Sequence, residues 1–269
     1  MNKLVSIKEA VSLIQDGEAL GVGGNVLHRS PMALIREIIR QNKKDLKVIK
    51  TAGAMDVDML CYGQCVHSVD AGFISYESEY SLANHYRKAV QEGRVRGNEH
   101  ACYTVISALR AGSYGIGFMP VKGLIISDLI EVNDYFKKIK DPFSGEEVTV
   151  VRALRPDTVI IHVHEADERG NARIYGPKFD DVLLAKAAKK VIISAEKLVT
   201  SQHFIETQQK VDIPEILVTA VVHAKEGARP CSCLPYYDIA REDLKYFKTL
   251  KNQTELEDYL RGYEIKDYK

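Results

Sequence analysis

The sequence predicts an α/β protein with an open, mainly parallel sheet and helices on both faces, which is a three-layer α/β/α architecture. Two observations predict this class. Apolar, β-branched segments of strand length alternate with amphipathic helical segments along the 269 residues, a pattern typical of parallel sheets with crossover helices. Some of these strands, such as residues 157–164, are rich in β-branched and apolar residues, as strands covered on both faces are.

The first half of the chain opens with a helix and then alternates strands with helices. Ser6 and Glu9 form a capping box at the start of the first helix, which ends at Asp16 and Gly17. The further elements predicted in this half are strands at 19–22, 46–52 and 66–74, and helices at 31–40, 55–60, 81–91 and 103–111.

The second half continues the alternation after an exposed excursion, which the turn-forming residues at 141–145 predict for residues 138–147. Buried strands are expected at 148–154 and 157–164, and a charged helical tail begins near residue 241. The sequence has no linker and no internal repeat, so we expect residues 1–269 to form a single domain. The remaining predicted elements are a helix at 180–189 and strands at 191–194 and 216–224.

The turn between the first strand and the second helix is the leading candidate for a ligand contact. Gly23, Gly24 and Asn25 follow the strand, and glycine permits backbone conformations that let a ligand lie against the main chain. Ser30 and Pro31 are typical of an N-cap and a first helical residue. Free amides converge at such a helix start, which favours an anionic or thioester ligand. A tight turn that binds nothing is an equally good interpretation of this segment alone.

Two common phosphate-binding motifs are excluded at this turn. The dinucleotide fingerprint G-x-G-x-x-G requires glycine at the position that Val26 occupies. A P-loop requires Gly-Lys followed by Ser or Thr, and no such triplet follows these glycines.

Composition restricts the class of partner. Basic and acidic residues number 37 each, so the charge balance favours neither nucleic acid nor an anionic membrane. No apolar run reaches the about 18 residues of a membrane span and no leader pattern opens the sequence, so we expect a cytoplasmic protein. The five irregularly spaced cysteines predict free thiols. Cys231 and Cys233 lack a second ligand pair nearby, which argues against a metal site.

Acidic residues at predicted strand ends are candidates for a reactive carboxylate, because ligands of open α/β sheets bind outside the carboxyl ends of the strands. A solvated or salt-bridged carboxylate is the favoured interpretation of any one of them. His162 and His164 share one face of a strand, and a hydrogen-bonded pair is favoured over metal ligands because no third ligand with metal spacing is evident. The candidate acids are Glu77, Glu99, Glu165 and Glu196.

Five segments together resemble the A (alpha) subunit of family I CoA-transferases, in the form of the glutaconate CoA-transferase alpha subunit. They span nearly the whole chain in the order found in that family. The segments are GGNVLHRSPMALIREIIR (23–40), GFISYES (72–78), LRAGSYGIGFMP (109–120), PDTVIIHVHEADERGNARIYGP (156–177) with AAKKVIISAEKLV (187–199), and VVHAKEGARPCSC (221–233).

The resemblance implies the open α/β/α fold of that superfamily and a heteromeric enzyme of A and B subunits, expected to be an A2B2 heterotetramer. In such enzymes the glutamate that attacks the acyl-CoA thioester belongs to the B subunit. An acyl-glutamyl anhydride and then a glutamyl-CoA thioester form, and CoA passes to a carboxylic acid. Coenzyme A is then a substrate, and we expect no permanently bound cofactor and no metal. We also expect no CoA-transfer activity without a B subunit, because no B-type catalytic segment is recognisable in the sequence.

The glycine loop of the family corresponds to Gly23, Gly24 and Asn25. By this resemblance, their amides and the Asn25 side chain are expected to contact the thioester or the oxyanion. The family usually has phenylalanine where this chain has Asn25, so the detailed geometry of the loop is expected to differ.

The turn GFISYES is expected to contribute to a substrate pocket, and it departs from the glutaconate enzyme because Glu77 makes it more acidic. This segment also resembles the alpha subunit of a CoA-dependent ring-opening hydrolase from steroid catabolism. The working glutamate of that hydrolase lies in its alpha subunit, and Glu99 is its nearest match here. An alternative function is therefore a CoA-thioester hydrolase or ring-opening lyase that uses Glu99 as a general base. The residues expected to line the pocket are Arg29, Ser75, Tyr76 and Glu77.

A non-enzymatic alternative is a sugar-phosphate sensor, because proteins of related fold serve that role in regulators. The sequence has no DNA-binding helix pair or basic patch before the domain, which argues against this class.

Overall fold

The computed structural model describes residues 2–124, 127–207 and 210–263 of the chain. The strands are β1 Ala19–Val22, β2 Leu46–Gly53, β3 Val66–Ile74, β4 Arg96–Glu99, β5 Phe118–Val121, β6 Phe136–Lys140, β7 Glu147–Arg152, β8 Thr158–Ala166, β9 Ala172–Arg173, β10 Lys190–Leu198 and β11 Ala220–His223. The helices are α1 Ile7–Ser12, α2 Met32–Arg40, α3 Met55–Tyr62, α4 Glu77–Tyr80, α5 Asn84–Gln91, α6 Cys102–Ser113, α7 Leu129–Val132, α8 Asp181–Ala187, α9 Ser201–Glu206, α10 Arg241–Thr249 and α11 Gln253–Arg261, with a 3₁₀ helix at Glu215–Leu217.

The central sheet has eight strands, seven of which lie in the order β11-β10-β8-β1-β2-β3-β4. All neighbouring strands in this order pair in parallel, and β9 alone among the eight runs antiparallel, against β8. The carboxyl ends of the seven parallel strands therefore meet at one edge of the sheet, where ligands of open α/β folds bind. The predicted mainly parallel α/β fold is confirmed.

Alternate residues of the central strands pack into two cores on the two faces of the sheet. Ile160 of β8 packs in the core formed with α1, α2 and α3, whereas Val159 and Ile161 pack in the core formed with α6 and α8. Ile192 and Ile193 of β10 divide in the same way. Because helices cover both faces, every residue of β8 is buried, which explains its apolar, β-branched residues at 159–161 and 163.

A separate three-stranded antiparallel sheet, in the order β5-β7-β6, forms where the exposed excursion was predicted. Residues 138–147 are exposed over most of their length, but they form a β6–β7 hairpin rather than an irregular loop. Its turn is fixed by Asp141, whose carboxylate accepts the N–H of Phe143 at 2.8 Å, and by Gly145 at a φ of 76°. The predicted strand at 148–154 is β7 of this small sheet and not part of the parallel one.

Two predicted helix starts differ in the structure. Ser30 does not cap α2, which begins at Met32 after Pro31. The Ser30 hydroxyl donates instead to Val26 O at 3.2 Å and lies 3.1 Å from Asp56 Oδ2. The helix predicted at 81–91 begins three residues later, as α5 at Asn84, because Ser81 has a φ of 68° and Leu82 forms an isolated bridge with Ser75. The short helix α4 precedes this segment.

The charged segment after residue 241 forms α10 and α11, which pack on the α1–α3 face of the sheet. The single-domain organisation stays a prediction. Among the residues that the structure describes, no helix combines the length and apolarity needed to cross a membrane. The apolar residues with which the two helices enter the core are Leu244, Phe247, Leu256, Tyr259 and Leu260.

Candidate functional site

The loop that joins β1 to α2 lies at the carboxyl edge of the parallel sheet and has an unusual backbone. Gly24, Val26 and Arg29 have φ values of 74°, 50° and 54°, in the left-handed region that non-glycine residues rarely adopt. A side chain at Gly24 would also meet the backbone, since a Cβ there would lie 2.6 Å from Arg29 C. The local sequence therefore requires glycine at this point for a geometric reason.

The amide N–H groups of Gly23, Gly24 and Asn25 all donate hydrogen bonds within the chain. The Asn25 side chain is half-buried, and its carboxamide makes no hydrogen bond to another described residue. In this conformation the Asn25 carboxamide is the group of the loop that is available to a ligand. The acceptors of the three amides are, in order, Ile160 O at 2.9 Å, Asp181 Oδ1 at 2.7 Å and His28 O at 2.9 Å.

The side-chain ammonium of Lys50, in β2, donates hydrogen bonds to the backbone of this loop. Its Nζ donates to Gly23 O at 2.5 Å and to Gly24 O at 2.8 Å, and lies 3.0 Å from Asp56 Oδ2. Lys50 and Asp56 are both fully buried, so the ion pair is protected from solvent screening. Sequence reasoning missed Lys50, although a lysine within a strand buried on both faces is a signal that a fixed partner exists.

Arg29, a predicted pocket residue, is 4% exposed and satisfies its guanidinium inside the protein. It pairs with Asp181 Oδ2 at 2.7 Å and donates to His162 O at 3.1 Å and Pro177 O at 2.8 Å. Asp181 in turn accepts the Gly24 amide, so Arg29 anchors the glycine loop to the start of α8. A role for Arg29 in contacting substrate stays a prediction.

The three predicted pocket residues of the turn after β3 point in different directions. Tyr76 is fully buried, and its hydroxyl donates to Asp58 Oδ2 at 2.8 Å. Ser75 donates to Ser81 O at 3.1 Å, which closes the turn. Glu77 is exposed at a φ of 64°. Tyr76 therefore anchors the turn, and Ser75 and Glu77 are the residues nearer to solvent.

Asp58 of α3 holds this anchor in place. Its Oδ1 accepts the N–H of Tyr86 at 2.8 Å while Oδ2 accepts the Tyr76 hydroxyl. Burial raises the pKa of Asp58 to about 6, against the lowering effect of these hydrogen bonds. The turn is therefore connected to α3 and to the start of α5 through a buried acid that titrates under mildly acidic conditions.

Glu99 ends the edge strand β4, and its side chain is exposed. Its backbone carbonyl accepts the Asn133 side-chain amide at 2.6 Å. The next residue, His100, is buried and lies 3.2 Å from Asp70 Oδ1. The strand end is thus fixed, while the Glu99 carboxylate remains accessible.

A buried network surrounds Glu196 near the end of β10. Its Oε1 lies 2.7 Å from His162 Nε2 and accepts the Tyr237 hydroxyl, and its Oε2 accepts the N–H of Glu226 at 2.7 Å. Ser194 Oγ lies 2.9 Å from His162 Nδ1. Burial raises the pKa of Glu196, but the hydrogen bonds from His162, Tyr237 and Glu226 outweigh it and leave that pKa below its ordinary value.

His164, two residues after His162, is also hydrogen-bonded, as the sequence predicted for the pair. Its Nδ1 accepts the Tyr175 N–H at 3.0 Å, so its Nε2 carries the proton and donates to Leu234 O at 2.6 Å. Burial lowers the pKa of His164 to about 4, which keeps the ring neutral at neutral pH.

One group of side chains comes near to a metal-binding arrangement. His162, Glu196 and Cys233 each have a ligand atom within 4.8 Å of the other two. The 2.7 Å separation of His162 Nε2 and Glu196 Oε1 is that of a hydrogen bond. Two ligands of one tetrahedral zinc ion lie roughly 3.3 Å apart, so the observed geometry is that of a proton-sharing network. The absence of a metal stays a prediction.

A cavity of about 430 Å³ opens beside this network, at the carboxyl ends of β10 and β11. Glu196 and Tyr237 form part of its wall, with Tyr236 and Lys197 next to them. Lys197 Nζ lies 4.8 Å from the centre of the Tyr236 ring, a cation–π geometry. His162 connects the cavity wall with the glycine loop, because its Nε2 lies 2.7 Å from Glu196 Oε1 and its backbone O accepts Arg29 Nη1 at 3.1 Å.

The chain has an open parallel sheet that is covered on both faces, and loops with a fixed conformation follow the carboxyl ends of its strands. These features define the class of α/β proteins that bind ligands at that edge. Within this class, the chain belongs to the Coenzyme A transferase family, which matches it over residues 4–224.

Three relatives share sequence with most or all of the chain. An uncharacterized protein from Archaeoglobus fulgidus is 33% identical over 97% of this chain. The match spans only 59% of the length of that protein. The A subunit of glutaconate CoA-transferase from Acidaminococcus fermentans is 29% identical over 100% of this chain and 90% of its own. The cholesterol ring-cleaving hydrolase IpdA subunit from Rhodococcus jostii is 30% identical over 84% of this chain and 79% of its own.

Two solved structures share the fold closely. The crystal structure of the Acidaminococcus fermentans glutaconate coenzyme A-transferase matches with a TM-score of 0.91 and 29% identity, over 99% of this chain and 90% of that one. The structure of a variant of the decarboxylase AibA/AibB matches with a TM-score of 0.88 and 31% identity, over 97% of this chain and 98% of that one. The resemblance to the A subunits of CoA-transferases is confirmed at the level of family and fold.

Proposed function

We propose that this chain is the A subunit of a heteromeric CoA-transferase, which moves CoA from an acyl-CoA to a carboxylic acid. Its likeness along the full chain to the A subunit of glutaconate CoA-transferase supports this proposal. Coenzyme A would be a substrate with no resident cofactor, and the complex would be a cytoplasmic A2B2 heterotetramer that contacts neither nucleic acid nor membrane.

The observation that carries the proposal is the state of the four strand-end acids. Glu196 is held ionised by three hydrogen bonds, and Glu165 lies 3.2 Å from Arg173. Glu77 and Glu99 are exposed to solvent. A carboxylate that attacks a thioester must be both desolvated and unengaged, because solvation and ion pairing reduce its nucleophilicity. None of these four meets both requirements, so a partner subunit is inferred to supply the nucleophile.

In the proposed reaction the nucleophile is a glutamate of the partner B subunit. It attacks the thioester carbonyl and expels the CoA thiolate, which leaves an acyl-glutamyl anhydride. The thiolate then attacks the glutamyl carbonyl and releases the first carboxylate, so that a glutamyl-CoA thioester forms. A second carboxylate reverses both steps and leaves as the new acyl-CoA. Each attack creates an oxyanion, which fixed hydrogen-bond donors stabilise. We assign the loop of Gly23, Gly24 and Asn25 to these contacts, with the Asn25 carboxamide as the donor that is not already engaged within the chain.

The experiment compares the purified chain alone with its complex with a CoA-transferase B subunit, using a panel of acyl-CoAs with and without acetate. We expect exchange of CoA only in the complex and only with an acceptor acid. Borohydride reduces a glutamyl thioester, so it should inactivate the acyl-CoA-treated complex and modify a peptide of the partner. Robust turnover by the single chain, or modification of this chain, would contradict the proposal.

A CoA-thioester hydrolase or ring-opening lyase is the second candidate, favoured by the accessible Glu99 carboxylate and by the ring-cleaving relative. In that case acyl-CoA would disappear without an acceptor, and Glu99→Gln would abolish the reaction. The transferase proposal predicts that Glu99→Gln leaves acceptor-dependent exchange within about twofold of the unmodified complex, because the attacking carboxylate then belongs to the partner subunit. Release of CO₂ from an acyl-CoA that carries a second carboxylate would indicate a decarboxylase instead.

A further inference from the structure

A second cavity lies between the helices on the α1–α3 face of the sheet. It has a volume of about 730 Å³ and is bounded by the end of α3, the start of α5 and the segment that joins α10 to α11. Tyr62 and Gln64 form its wall just before β3 begins at Val66, so this wall lies at the amino edge of the parallel sheet. Cavities of about 300–1,000 Å³ are typical of small-molecule sites. We call it the basic cleft.

The lining of the basic cleft is positively charged although the chain as a whole is neutral. Among the described residues that line it, four are cationic and none is acidic. Glu92, outside the lining, lies 2.7 Å from Arg94 and 3.9 Å from Lys88, and it offsets part of the charge. Glu255 offsets a further part, since its carboxylate accepts the N–H of Lys251 at 2.7 Å. Four cations against these two acids leave the cleft with a net positive charge, which favours an anion. The cationic residues are Lys88, Arg94, Lys248 and Lys251.

His85 adds a polar atom that lacks a partner in the wall of the cleft. Its ring stacks on Tyr62 with centroids 3.8 Å apart, and its buried Nε2 makes no hydrogen bond to any described residue. Burial, together with the nearby charge of Lys88, lowers the pKa of His85 to about 4. The ring is therefore neutral at neutral pH and can present one N–H to an acceptor. A buried polar nitrogen without a partner is unfavourable. Nε2 is closed to solvent in this conformation, so a ligand in the cleft gains a hydrogen bond from His85 only when the ring turns toward it.

We propose that the basic cleft binds a phosphate-bearing small molecule. Phosphate groups carry up to two charges and several acceptor oxygens each, which suits two exposed lysines, an arginine and a neutral histidine donor around one space. A monocarboxylate carries a single charge and two acceptor oxygens, so it would match fewer of these donors than a phosphate does. The phosphate belongs either to a free phosphorylated metabolite or to the nucleotide portion of a coenzyme. Both sources present the same chemistry to the cleft.

The test measures binding of pyrophosphate, CoA and dephospho-CoA to the full chain by titration calorimetry at low ionic strength. Lys88→Ala/Lys251→Ala removes two exposed ammonium groups of the cleft, which are surface positions where the fold does not depend on the side chain. The matched control, Lys137→Ala/Lys140→Ala, removes the same charge from exposed positions of β6. His85→Phe retains the ring on Tyr62 and removes Nε2.

We expect pyrophosphate to bind at least tenfold more weakly to Lys88→Ala/Lys251→Ala, and severalfold more weakly to His85→Phe, with the control unchanged. Stronger binding of CoA than of dephospho-CoA, lost in the same variants, would assign the phosphate to the coenzyme. Binding of pyrophosphate alone would assign it to a free metabolite. Equal weakening in the control, or no binding of any of the three probes, would overturn the proposal. The readout is binding, so it is independent of the proposed transferase activity.

Discussion

The carboxylate of Asp181 accepts a hydrogen bond from the backbone N–H of Gly24 at 2.7 Å, across 157 positions of the sequence. The other oxygen of the same carboxylate lies 2.7 Å from Arg29 Nη2, and both side chains are buried. The glycine loop is therefore shaped by a buried ion pair whose members come from the loop itself and from the start of α8. Loss of either charge would leave the other uncompensated within the protein.

The first prediction concerns this ion pair. We expect Arg29→Met to lower the free energy of unfolding by about 3–5 kcal/mol, because it leaves Asp181 charged, buried and without its partner. Urea unfolding of the isolated chain measures this. Arg169→Met is the control, since Arg169 pairs with Glu215 at 2.7 Å while its own side chain is 52% exposed, and exposed pairs contribute under about 1 kcal/mol. An unchanged stability for Arg29→Met, with a higher KM in the complex, would assign Arg29 to substrate binding instead.

The second prediction concerns Gly24, compared with a glycine of the same conformation elsewhere. Gly24 and Gly115 have φ values of 74° and 73°, but a Cβ at Gly24 would meet backbone atoms at 2.6 Å, whereas a Cβ at Gly115 would meet nothing within 4 Å. We expect Gly115→Ala to cost about 1–2 kcal/mol from backbone strain alone. Gly24→Ala should cost a further about 1–3 kcal/mol from overpacking. Equal losses of unfolding free energy for the two variants, measured by urea unfolding, would show that the loop accommodates the added methyl group at Gly24 without further destabilisation.

The parts of the fold that follow from local pattern were predictable from the sequence. The apolar segment at 157–164 is a central strand because both of its faces are covered, and Ser6 caps α1 as its spacing with Glu9 indicates. The antiparallel pairing of β7 was not predictable, because an apolar strand has the same composition in either kind of sheet.

The candidate site was predictable in position but not in its partners. Gly23 and Gly24 do lie at the carboxyl edge of the sheet, where the strand–turn–helix pattern indicates a ligand contact. Lys50 and Asp181 support them from 26 or more positions away in sequence. Such pairs depend on tertiary packing, and a single sequence carries no signal that connects them. For the same reason the burial of Tyr76 against Asp58 was not foreseen.

The third prediction concerns the pH dependence of stability through Asp58. Its pKa in the folded protein, about 6, lies above its ordinary value of 3.8, so the folded state holds this proton more tightly than the unfolded state does. The resulting stabilisation is present below about pH 4 and is lost as the pH rises through about 6. The shift corresponds to about 3 kcal/mol.

Asp58→Asn removes this titration. We therefore expect the free energy of unfolding of the unmodified chain, relative to that of Asp58→Asn, to fall by about 3 kcal/mol between about pH 4 and 7. Urea unfolding at a series of pH values measures the difference, and Asp134→Asn, an exposed acid, is the control for the change of charge. Parallel curves for the unmodified chain and Asp58→Asn would mean that Asp58 does not titrate in this range.

The last prediction concerns the donor that the glycine loop offers to a ligand. All three backbone amides of the loop are occupied within the chain, including the Gly24 amide that Asp181 accepts, whereas the Asn25 carboxamide has no partner among the described residues. In the complex with a B subunit, we expect Asn25→Ala to lower kcat by about 10²–10³, the effect of removing one oxyanion donor. Its free energy of unfolding should change by no more than about 0.5 kcal/mol, because no intramolecular hydrogen bond is lost.

Asn25→Asp should lower kcat at least as far, since its negative charge repels the oxyanion. If instead kcat falls by less than about threefold in both variants, the Asn25 side chain is not the oxyanion donor.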